Sequence, residues 1–415
     1  MNSKGISVKE LLLAKGVKFQ NPGNTEIGEE VNHDRISGKN VVVYSGCRIY
    51  GSSTLILHGS EIGYEGPATV ENCYVGPDVK LKGGFFNNSI FLKGVEIGSG
   101  AQVREGTIME EEARAAHCVG LKQTVLFPYV VLGSLVNFCD CFMAGGTSRE
   151  NHSEVGSSYI HFNYTPNQDK ATPSLIGDVP CGVMINQPPI FLGGQGGLVG
   201  PSRIAFGTVL AAGSILRKDE LRQGRLIIEG NNKGGNISYT QGYYRSIKRV
   251  VLNNIIYLAN LIALFNWYKN VRVLFLSIDF PEHLYDGLVE ILEINFKERV
   301  KRFGQFCLKL PDSAELYKKI SKADKGQLIS QKYEIFRKWT EIEEKFYSLQ
   351  NYNGNENLKS LFLENLKQTI EENNGNYLSI MNKLQNNDKN IGTLWLKSIV
   401  DYVYNETLKL IPTIN

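Results

Sequence analysis

The sequence predicts an all-β left-handed parallel β-helix built from hexapeptide repeats, followed by an all-α C-terminal domain. Only six of the 42 glycines follow Gly242, so two different architectures are joined in one chain. In the first half an aliphatic residue followed by glycine recurs, and in places aliphatic residues keep a spacing of six. That spacing fits neither a helix nor an alternating strand. It is typical of a prism in which each short strand points one aliphatic side chain inward.

The period of six is clearest where Leu198, Ile204, Leu210 and Leu216 follow one another without a gap. A β-sandwich or propeller with glycine turns is the alternative, but those folds place turn signals every 8 to 12 residues or so. Three short strands make one coil of about 18 residues, which leaves room for roughly ten coils. The stretches 83–88, 109–116 and 178–189 break the phase, and we expect them to be loops that leave the prism.

The chain divides into four predicted segments. Residues 1–26 form an N-terminal helix and cap, with Val8 to Lys18 as one short helix on the first coil. The left-handed β-helix occupies residues 27–218. Residues 219–242, rich in glycine and asparagine, form a linker. The α-helical domain then spans residues 243–415.

The helical half opens with its most apolar run, from Val250 to Phe265. This run is shorter than the roughly 20 apolar residues that span a bilayer. It also carries Asn253, Asn254 and Asn260. We therefore expect a buried helix and no membrane segment. Amphipathic helices are expected in the stretches that follow, at 282–303, 313–347, 357–372 and 393–410.

Composition excludes several classes of protein. The net charge is +3, without the concentrated basic surface that nucleic-acid binding needs. The seven cysteines are an odd number spread over a long chain, which indicates reduced thiols in the cytoplasm. The first ten residues contain no apolar core of a secretory signal. Cys139 and Cys141 are spaced too closely for the usual zinc pairs, so no metal is expected.

One block resembles a known family. The run from Phe191 to Ser214 follows an Asn163-Tyr164 pair, Lys170 and an Ile-Gly-Asp triplet that ends at Asp178. In this order and spacing the block resembles the acetyltransferase domain of the bacterial bifunctional enzyme that joins glucosamine-1-phosphate acetyltransferase to N-acetylglucosamine-1-phosphate uridyltransferase. The similarity covers roughly residues 130 to 218, with a generic hexapeptide match upstream.

The resemblance implies acyl transfer from acetyl-coenzyme A to an amino sugar phosphate or sugar nucleotide. It further implies a homotrimer whose sites lie between neighbouring prisms. The partners expected are a small-molecule sugar phosphate and other copies of the chain, with neither nucleic acid nor membrane. The family's Gly-x-Gly-Thr nucleotide loop is missing from residues 1–26, so we expect no uridyltransferase domain.

Several binding residues are implied by matching positions. Asn163 and Tyr164 match the pair that contacts sugar and acetyl group, and Lys170 matches the phosphate-binding lysine. The small Ala212, with Gly194 in place of a family serine and Lys218 at the end of the β-helix, is assigned to the coenzyme. The loop residue Arg149 is a further candidate for binding the phosphate, since arginine pairs well with that group.

The base is the harder choice. The ammonium group of an amino sugar must lose a proton before it attacks a thioester, and histidine titrates in the right range. The family places its base some two dozen residues before the Asn-Tyr pair. Here His152 and His161 are both candidates, eleven and two residues before Asn163. Glu154 and Asp140 are candidate carboxylates to orient the imidazole.

A second function stays open. The displaced histidine, the insertion between Asp178 and Phe191, and a helical half without recognisable chemistry favour a non-catalytic scaffold or sugar-nucleotide-binding protein. Binding of coenzyme A would distinguish the two.

Overall fold

The computed structural model of the chain describes residues 6–229, 236, 238–320 and 326–414. Its first half is a parallel β-helix in which strands of two to four residues form three sheets. The second half is helical. The prediction of a left-handed parallel β-helix followed by an all-α region is therefore confirmed, with eleven strands in the longest sheet.

Successive coils contribute strands to three faces in the same order, with eleven, ten and eight strands on the first, second and third face. The first face consists of Lys18–Phe19, Val42–Val43, Glu61–Ile62, Lys80–Leu81, Glu96–Ile97, Arg114–Ala115, Val131–Leu132, Glu154–Val155, Phe191–Leu192, Val209–Leu210 and Leu226–Ile227. The second consists of Glu26–Ile27, Arg48–Tyr50, Ala68–Glu71, Gly84–Asn87, Ala101–Val103, Gly120–Lys122, Asn137–Cys139, Ile160–Phe162, Gly197–Val199 and Ile215–Leu216. The third consists of Leu55–Ile56, Tyr74–Val75, Ser89–Phe91, Thr107–Met109, Val125–Leu126, Cys141–Met143, Ser174–Ile176 and Arg203–Ile204.

Aliphatic side chains fill the interior of the prism. Leu198, Ile204, Leu210 and Leu216 lie on the second, third, first and second faces in turn, and each is at most 2% exposed. The spacing of six in the sequence is thus the path from one face to the next. Three edges separate the faces, which we call the first–second, second–third and third–first edges in chain order.

Two of the three expected loops are not loops. Gly84–Asn87 is a strand, and the stretch 109–116 contains the strand Arg114–Ala115. Gly84 breaks the aliphatic pattern because its φ is +129° and a Cβ there would lie 2.2 Å from the Ala101 carbonyl oxygen. Glu110 breaks it because its buried carboxylate accepts a hydrogen bond from Tyr268 Oη at 2.6 Å. The stretch 178–189 does leave the prism, as predicted.

Nine α-helices lie within the described residues. They are α1 (Val8–Lys15), α2 (Val179–Gly182), α3 (Lys248–Asn270), α4 (Glu282–Cys307), α5 (Leu310–Ile320), α6 (Gly326–Leu349), α7 (Glu356–Asn373), α8 (Tyr377–Lys383) and α9 (Asn386–Lys409). A capping box between Ser7 and Glu10 starts α1, and Gly16 ends it in the left-handed region with φ +105°. The expected extension of this helix to Lys18 is wrong, because Lys18 already belongs to the first strand.

The domain limits stay predictions. The first strand begins at Lys18, the last strand ends at Ile227, and α3 begins at Lys248. Residues 1–5 of the predicted N-terminal segment lie outside the described residues. So do residues 230–235 and 237 of the predicted linker.

The apolar helix α3 is buried inside the molecule. Lys248–Phe275 passes a test of length and composition for a membrane span, with a mean hydropathy of 1.5, but 83% of that window is buried. Its asparagines bond to the β-helix: Asn254 Nδ2 donates to the Ala171 carbonyl at 3.0 Å, and Asn260 Oδ1 accepts from Val179 N at 2.9 Å. The residues that interrupt the apolar run therefore attach α3 to the prism.

The helical half covers the third face. Helix α4 lies against its strands, where Tyr74 Oη donates to Glu290 at 2.5 Å. Farther along α4, Asn295 Nδ2 donates to the Gly106 carbonyl at 2.5 Å. Several outward side chains on the other two faces are exposed, such as Phe191 on the first face and Ile160 on the second. The helices thus reach both edges that border the third face.

Candidate functional site

His152 lies on a loop at the third–first edge, between the strands Cys141–Met143 and Glu154–Val155. Its Nδ1 is 2.7 Å from the Arg149 carbonyl oxygen. A carbonyl can only accept a hydrogen bond, so Nδ1 is the nitrogen that donates and Nε2 is the one that faces outward from this contact. Nε2 lies 3.9 Å from Glu154 Oε2. This pair has the arrangement of a base with a carboxylate beside it to stabilise the imidazolium that proton uptake produces.

Arg149 closes the same loop. Its Nη1 donates to the Glu112 carbonyl and its Nη2 to the Tyr129 carbonyl, both at 2.6 Å. Burial, followed by the nearby charge of Arg114, lowers the pKa of Arg149. Both terminal nitrogens are thus engaged in holding the loop, which fixes the carbonyl that orients His152.

His161 points into the interior of the prism. It is 2% exposed, with Nδ1 donating to the Cys139 carbonyl at 2.6 Å and Nε2 accepting from Ser174 Oγ at 2.8 Å. Burial lowers its pKa from 6.5 to about 4. The imidazole is therefore neutral and satisfied on both nitrogens, as expected of a histidine that holds two coils together.

The residues matched to sugar binding lie together at the second–third edge. Asn163 Nδ2 donates to Asp140 Oδ2 at 2.7 Å. The Tyr164 side chain is 56% exposed, and Lys170 Nζ lies 5.9 Å from the centre of its ring. The sequence motif thus presents an amide, an aromatic ring and a cation on one short loop.

The residues assigned to the coenzyme lie at the first–second edge. A Cβ at Gly193 would be 2.3 Å from Ala212 N, and one at Gly194 would be 2.8 Å from the Ser157 carbonyl oxygen. Glycine is needed here because neighbouring coils pack backbone against backbone. Ala212 is exposed, which leaves this small edge open to a ligand. Lys218 lies one edge further along the chain, with its Nζ 3.7 Å from Glu229.

The predicted residues therefore occupy all three edges of one prism. His152 and Glu154 lie on the third–first side, Asn163 to Lys170 on the second–third edge, and Gly194 with Ala212 on the first–second edge. The structure brings together members of each group, but it does not bring the three groups together within one chain. A site that combines them needs residues from more than one copy.

Sequence reasoning missed the arginine beside the sugar-binding motif. Arg299 of α4 places Nη2 2.7 Å from Asp140 Oδ1, and the two side chains are at most 4% exposed. Asp140 also stands 23 residues before Asn163, where the family places its base. A signal was available in α4: Arg299 falls on the buried stripe formed by Phe296, Val300 and Phe303, where an unpaired arginine would be costly.

A cavity of about 780 Å³ lies elsewhere, between the first face and the helical half. Its lining among the described residues includes Arg114, Glu96, Phe280 and Tyr377 and contains none of the predicted site residues. No group of three or more His, Cys, Asp or Glu side chains that could hold a metal ion occurs in the described part of the chain. The seven cysteines are free thiols.

Comparison with known proteins supports the resemblance. The chain is 28% identical over 211 residues to the bifunctional protein GlmU of Thermotoga maritima, covering 51% of this chain and 42% of that protein. It is 25% identical over 209 residues to GlmU of Pelobacter propionicus, covering 50% and 40% respectively. With GlmU of Acinetobacter baumannii the identity is 24% over 216 residues, covering 51% and 41%.

The chain spans about two fifths of the length of these curated relatives. No family model matches the chain. The similarity together with the parallel β-helix supports an acyltransferase-like domain of the kind predicted from the motif. The activities of the complete GlmU proteins are therefore not assigned to this chain by the similarity.

Proposed function

We propose that the β-helix half transfers an acyl group from acetyl-coenzyme A to the amine of an amino sugar phosphate or sugar nucleotide. The observation that carries this proposal is the fixed imidazole of His152, whose Nδ1 proton is bound by the Arg149 carbonyl and whose Nε2 lies beside Glu154. The similarity to GlmU supports it. The proposal includes a cytoplasmic location.

In this mechanism His152 Nε2 takes a proton from the acceptor ammonium, and Glu154 stabilises the resulting imidazolium. The amine then attacks the thioester carbonyl. A C–N bond forms and the C–S bond breaks. The nitrogen loses its second proton as the amide forms, the coenzyme A thiolate takes up one proton and leaves as a thiol, and His152 releases the other proton to solvent. Asn163 and Lys170 bind the sugar and its phosphate. The predicted phosphate contact of Arg149 is not part of this mechanism, because both of its terminal nitrogens hold the loop; Arg149 acts by orienting His152.

Acetyl-coenzyme A supplies the acyl group as a thioester when bound. The residues that would hold it are Gly194 and Ala212, with Lys218 available to phosphate groups. The first–second edge has room for the coenzyme, because Ala212 is exposed and a Cβ at Gly213 would meet none of the described atoms within 4 Å. Large side chains at this edge would block such an approach.

A homotrimer is part of the proposal because the three groups of residues lie on different edges. When copies pack side by side, the third–first edge of one prism can lie opposite another edge of the neighbouring prism. Exposed apolar side chains on the two outer faces, such as Ile160 and Phe191, are suited to such contacts. The oligomer would then complete a site that one chain lacks.

A non-catalytic sugar-nucleotide-binding protein is the second candidate. It is favoured by Asp140, which stands at the family's base position and is neutralised by Arg299. Titration calorimetry of the full chain with coenzyme A separates the candidates. The acyltransferase predicts saturable binding, one site per chain. No heat at millimolar coenzyme A in the assembled protein would favour the non-catalytic candidate.

A further inference from the structure

The helical half holds the sugar-binding loop residue by residue. The loop joins the strand Ile160–Phe162 to the strand Ser174–Ile176 at the second–third edge. Five consecutive residues, 167 to 171, each accept hydrogen bonds from the chain beyond the β-helix. The contacts are Gly242 N to Asn167 Oδ1 at 2.8 Å, Lys309 Nζ to the carbonyls of Asn167 and Gln168 at 2.7 and 2.6 Å, Tyr244 Oη to Asp169 Oδ2 at 2.7 Å, Arg299 Nη1 to the Lys170 carbonyl at 3.1 Å, and Asn254 Nδ2 to the Ala171 carbonyl at 3.0 Å.

Arg299 is the link between these contacts and the motif. One guanidinium nitrogen bonds the Lys170 carbonyl, and the other bonds Asp140 at 2.7 Å. The second carboxylate oxygen of Asp140 accepts from Asn163 Nδ2 at 2.7 Å. Because Asp140 and Arg299 are both almost completely buried, neither charge has water as an alternative partner. The arrangement therefore depends on both side chains being present.

This chain of contacts sets the orientation of the Asn163 amide. A carboxylate only accepts hydrogen bonds, so it is the NH₂ group of Asn163 that faces Asp140. The amide oxygen is left to face away, where it can accept from a donor. An amine or hydroxyl group of an acceptor sugar is such a donor.

We infer that Arg299 is a positioning residue for acceptor recognition, which makes the acceptor site a joint product of the β-helix and the helical half. It holds Asp140, which holds the Asn163 amide with its oxygen outward, and it fixes the loop backbone at Lys170. The inference rests on the proposed function for the identity of the acceptor. It gives the helical half a role that the similarity to GlmU, confined to about half of the chain, does not supply.

Hydrogen exchange of the full-length protein tests the structural part of the inference. In Arg299→Met we expect amide exchange in residues 163–172 to rise at least about tenfold, while peptides within 101–132 keep their rates. Arg299→Lys, which keeps the charge but not the forked geometry, should lie between wild type and Arg299→Met. The matched control is Arg302→Met. Arg302 lies on the same helix, three residues after Arg299, and among the described residues it pairs with Glu298 and not with the β-helix.

If Arg299→Met fails to fold, Asp140→Asn/Arg299→Met removes both buried charges and takes its place. Loop exchange should stay elevated in that variant. The positioning role would be overturned if the variant that folds exchanged amides in residues 163–172 at the wild-type rate. It would also be overturned if Arg302→Met raised exchange in these residues as much as Arg299→Met does.

Steady-state kinetics test the acceptor part. Arg299→Met, or the double variant in its place, should raise the KM for an amino sugar phosphate by at least about tenfold, with the KM for acetyl-coenzyme A within about twofold of wild type. An acceptor KM in the variant equal to that of the wild type would overturn the role of Arg299 in acceptor recognition. If the wild-type protein turns over no amino sugar phosphate, the proposed function fails and the acceptor assignment fails with it. The exchange experiment would still decide whether Arg299 holds the loop.

Discussion

Arg299 of the helical half and Asp140 of the β-helix form a buried ion pair, with Nη2 2.7 Å from Oδ1. The pair lies beneath the Asn163-Tyr164 motif and bonds to Asn163 directly. The two halves of the chain therefore meet at the residues that the sequence assigned to the acceptor. Loss of one partner would leave an uncompensated buried charge.

Removal of Arg299 should destabilise the folded protein. We expect Arg299→Met to lower the free energy of unfolding by about 3–5 kcal/mol, because Asp140 then stays charged without a partner or must take up a proton. Arg302→Met should cost less than about 1 kcal/mol, since its i,i+4 pair with Glu298 is partly exposed. Chemical denaturation at pH 7 measures both. Asp140→Asn/Arg299→Met should be more stable than Arg299→Met alone, and the reverse order would contradict the account of the pair.

His152 should be required for turnover. We expect His152→Gln to reduce kcat about 100-fold or more, because the amide side chain cannot take a proton from the acceptor. Glu154→Gln should reduce kcat less, since it removes only the stabilisation of the imidazolium. His283→Gln, an exposed residue of α4, is the matched control and should keep wild-type activity. Normal acetylation by His152→Gln would show that this histidine is not the base.

His161 should make stability depend on pH. Its pKa is about 4 when folded and 6.5 when exposed, so the unfolded chain binds more protons between these values. The contribution of His161 to the free energy of unfolding is therefore fully present above pH 6.5. About 3 kcal/mol of it is lost as the pH falls toward 4. His161→Leu should be less stable at pH 7, because two hydrogen bonds are lost, but its urea midpoint should change less between pH 7 and 5. An unchanged pH slope would contradict the buried neutral imidazole.

Lys332 of α6 should destabilise the fold. Its side chain is buried, its Nζ lies 4.3 Å from the centre of the Tyr317 ring, and Nζ has no hydrogen-bond partner within the described part of the chain. Burial lowers its pKa from 10.5 to about 8. The folded state thus binds fewer protons than the unfolded state between these values, so stability rises with pH across that window.

The corresponding variant is Lys332→Met. It should raise the free energy of unfolding at pH 7 by about 1–3 kcal/mol and should abolish the rise in stability between pH 8 and 10.5. Lys338→Met on the same helix is the matched control, because Lys338 is partly exposed and pairs with Glu341. A loss of stability in Lys332→Met would show that the ammonium has a partner that stabilises it.

The β-helix could be predicted because its signal is local and repeated. Each coil repeats an inward aliphatic residue such as Leu198 or Leu210, and the spacing of these residues predicts the geometry of the coil. The pattern failed at Gly84 because that glycine packs closely against Ala101 of the next coil, and at Glu110 because of a contact from outside the repeat. Glu110 is bonded to Tyr268, which a period of six cannot reveal.

The candidate site could be predicted only in part. The motif around Asn163 was found, since its residues are close in sequence and lie on one loop. The sequence favoured His152 over His161 as the base, but only the structure shows that His161 is turned inward between Cys139 and Ser174. The buried stripe of α4 could have marked Arg299 as a buried charge, but its partner could not be identified, because Asp140 belongs to the other half of the chain and single-sequence patterns do not record such long-range pairs.

Acyl transfer by the β-helix half can be measured as formation of the acetylated product. The purified full-length protein is incubated with acetyl-coenzyme A and an amino sugar phosphate such as glucosamine-1-phosphate, with free thiol and product mass followed together. The account predicts one thiol released for each N-acetylated sugar, with the reaction abolished in His152→Gln and preserved in His283→Gln. Absence of acetylated product from a panel of amino sugar phosphates and sugar nucleotides, in a protein that also fails to bind coenzyme A, would contradict it.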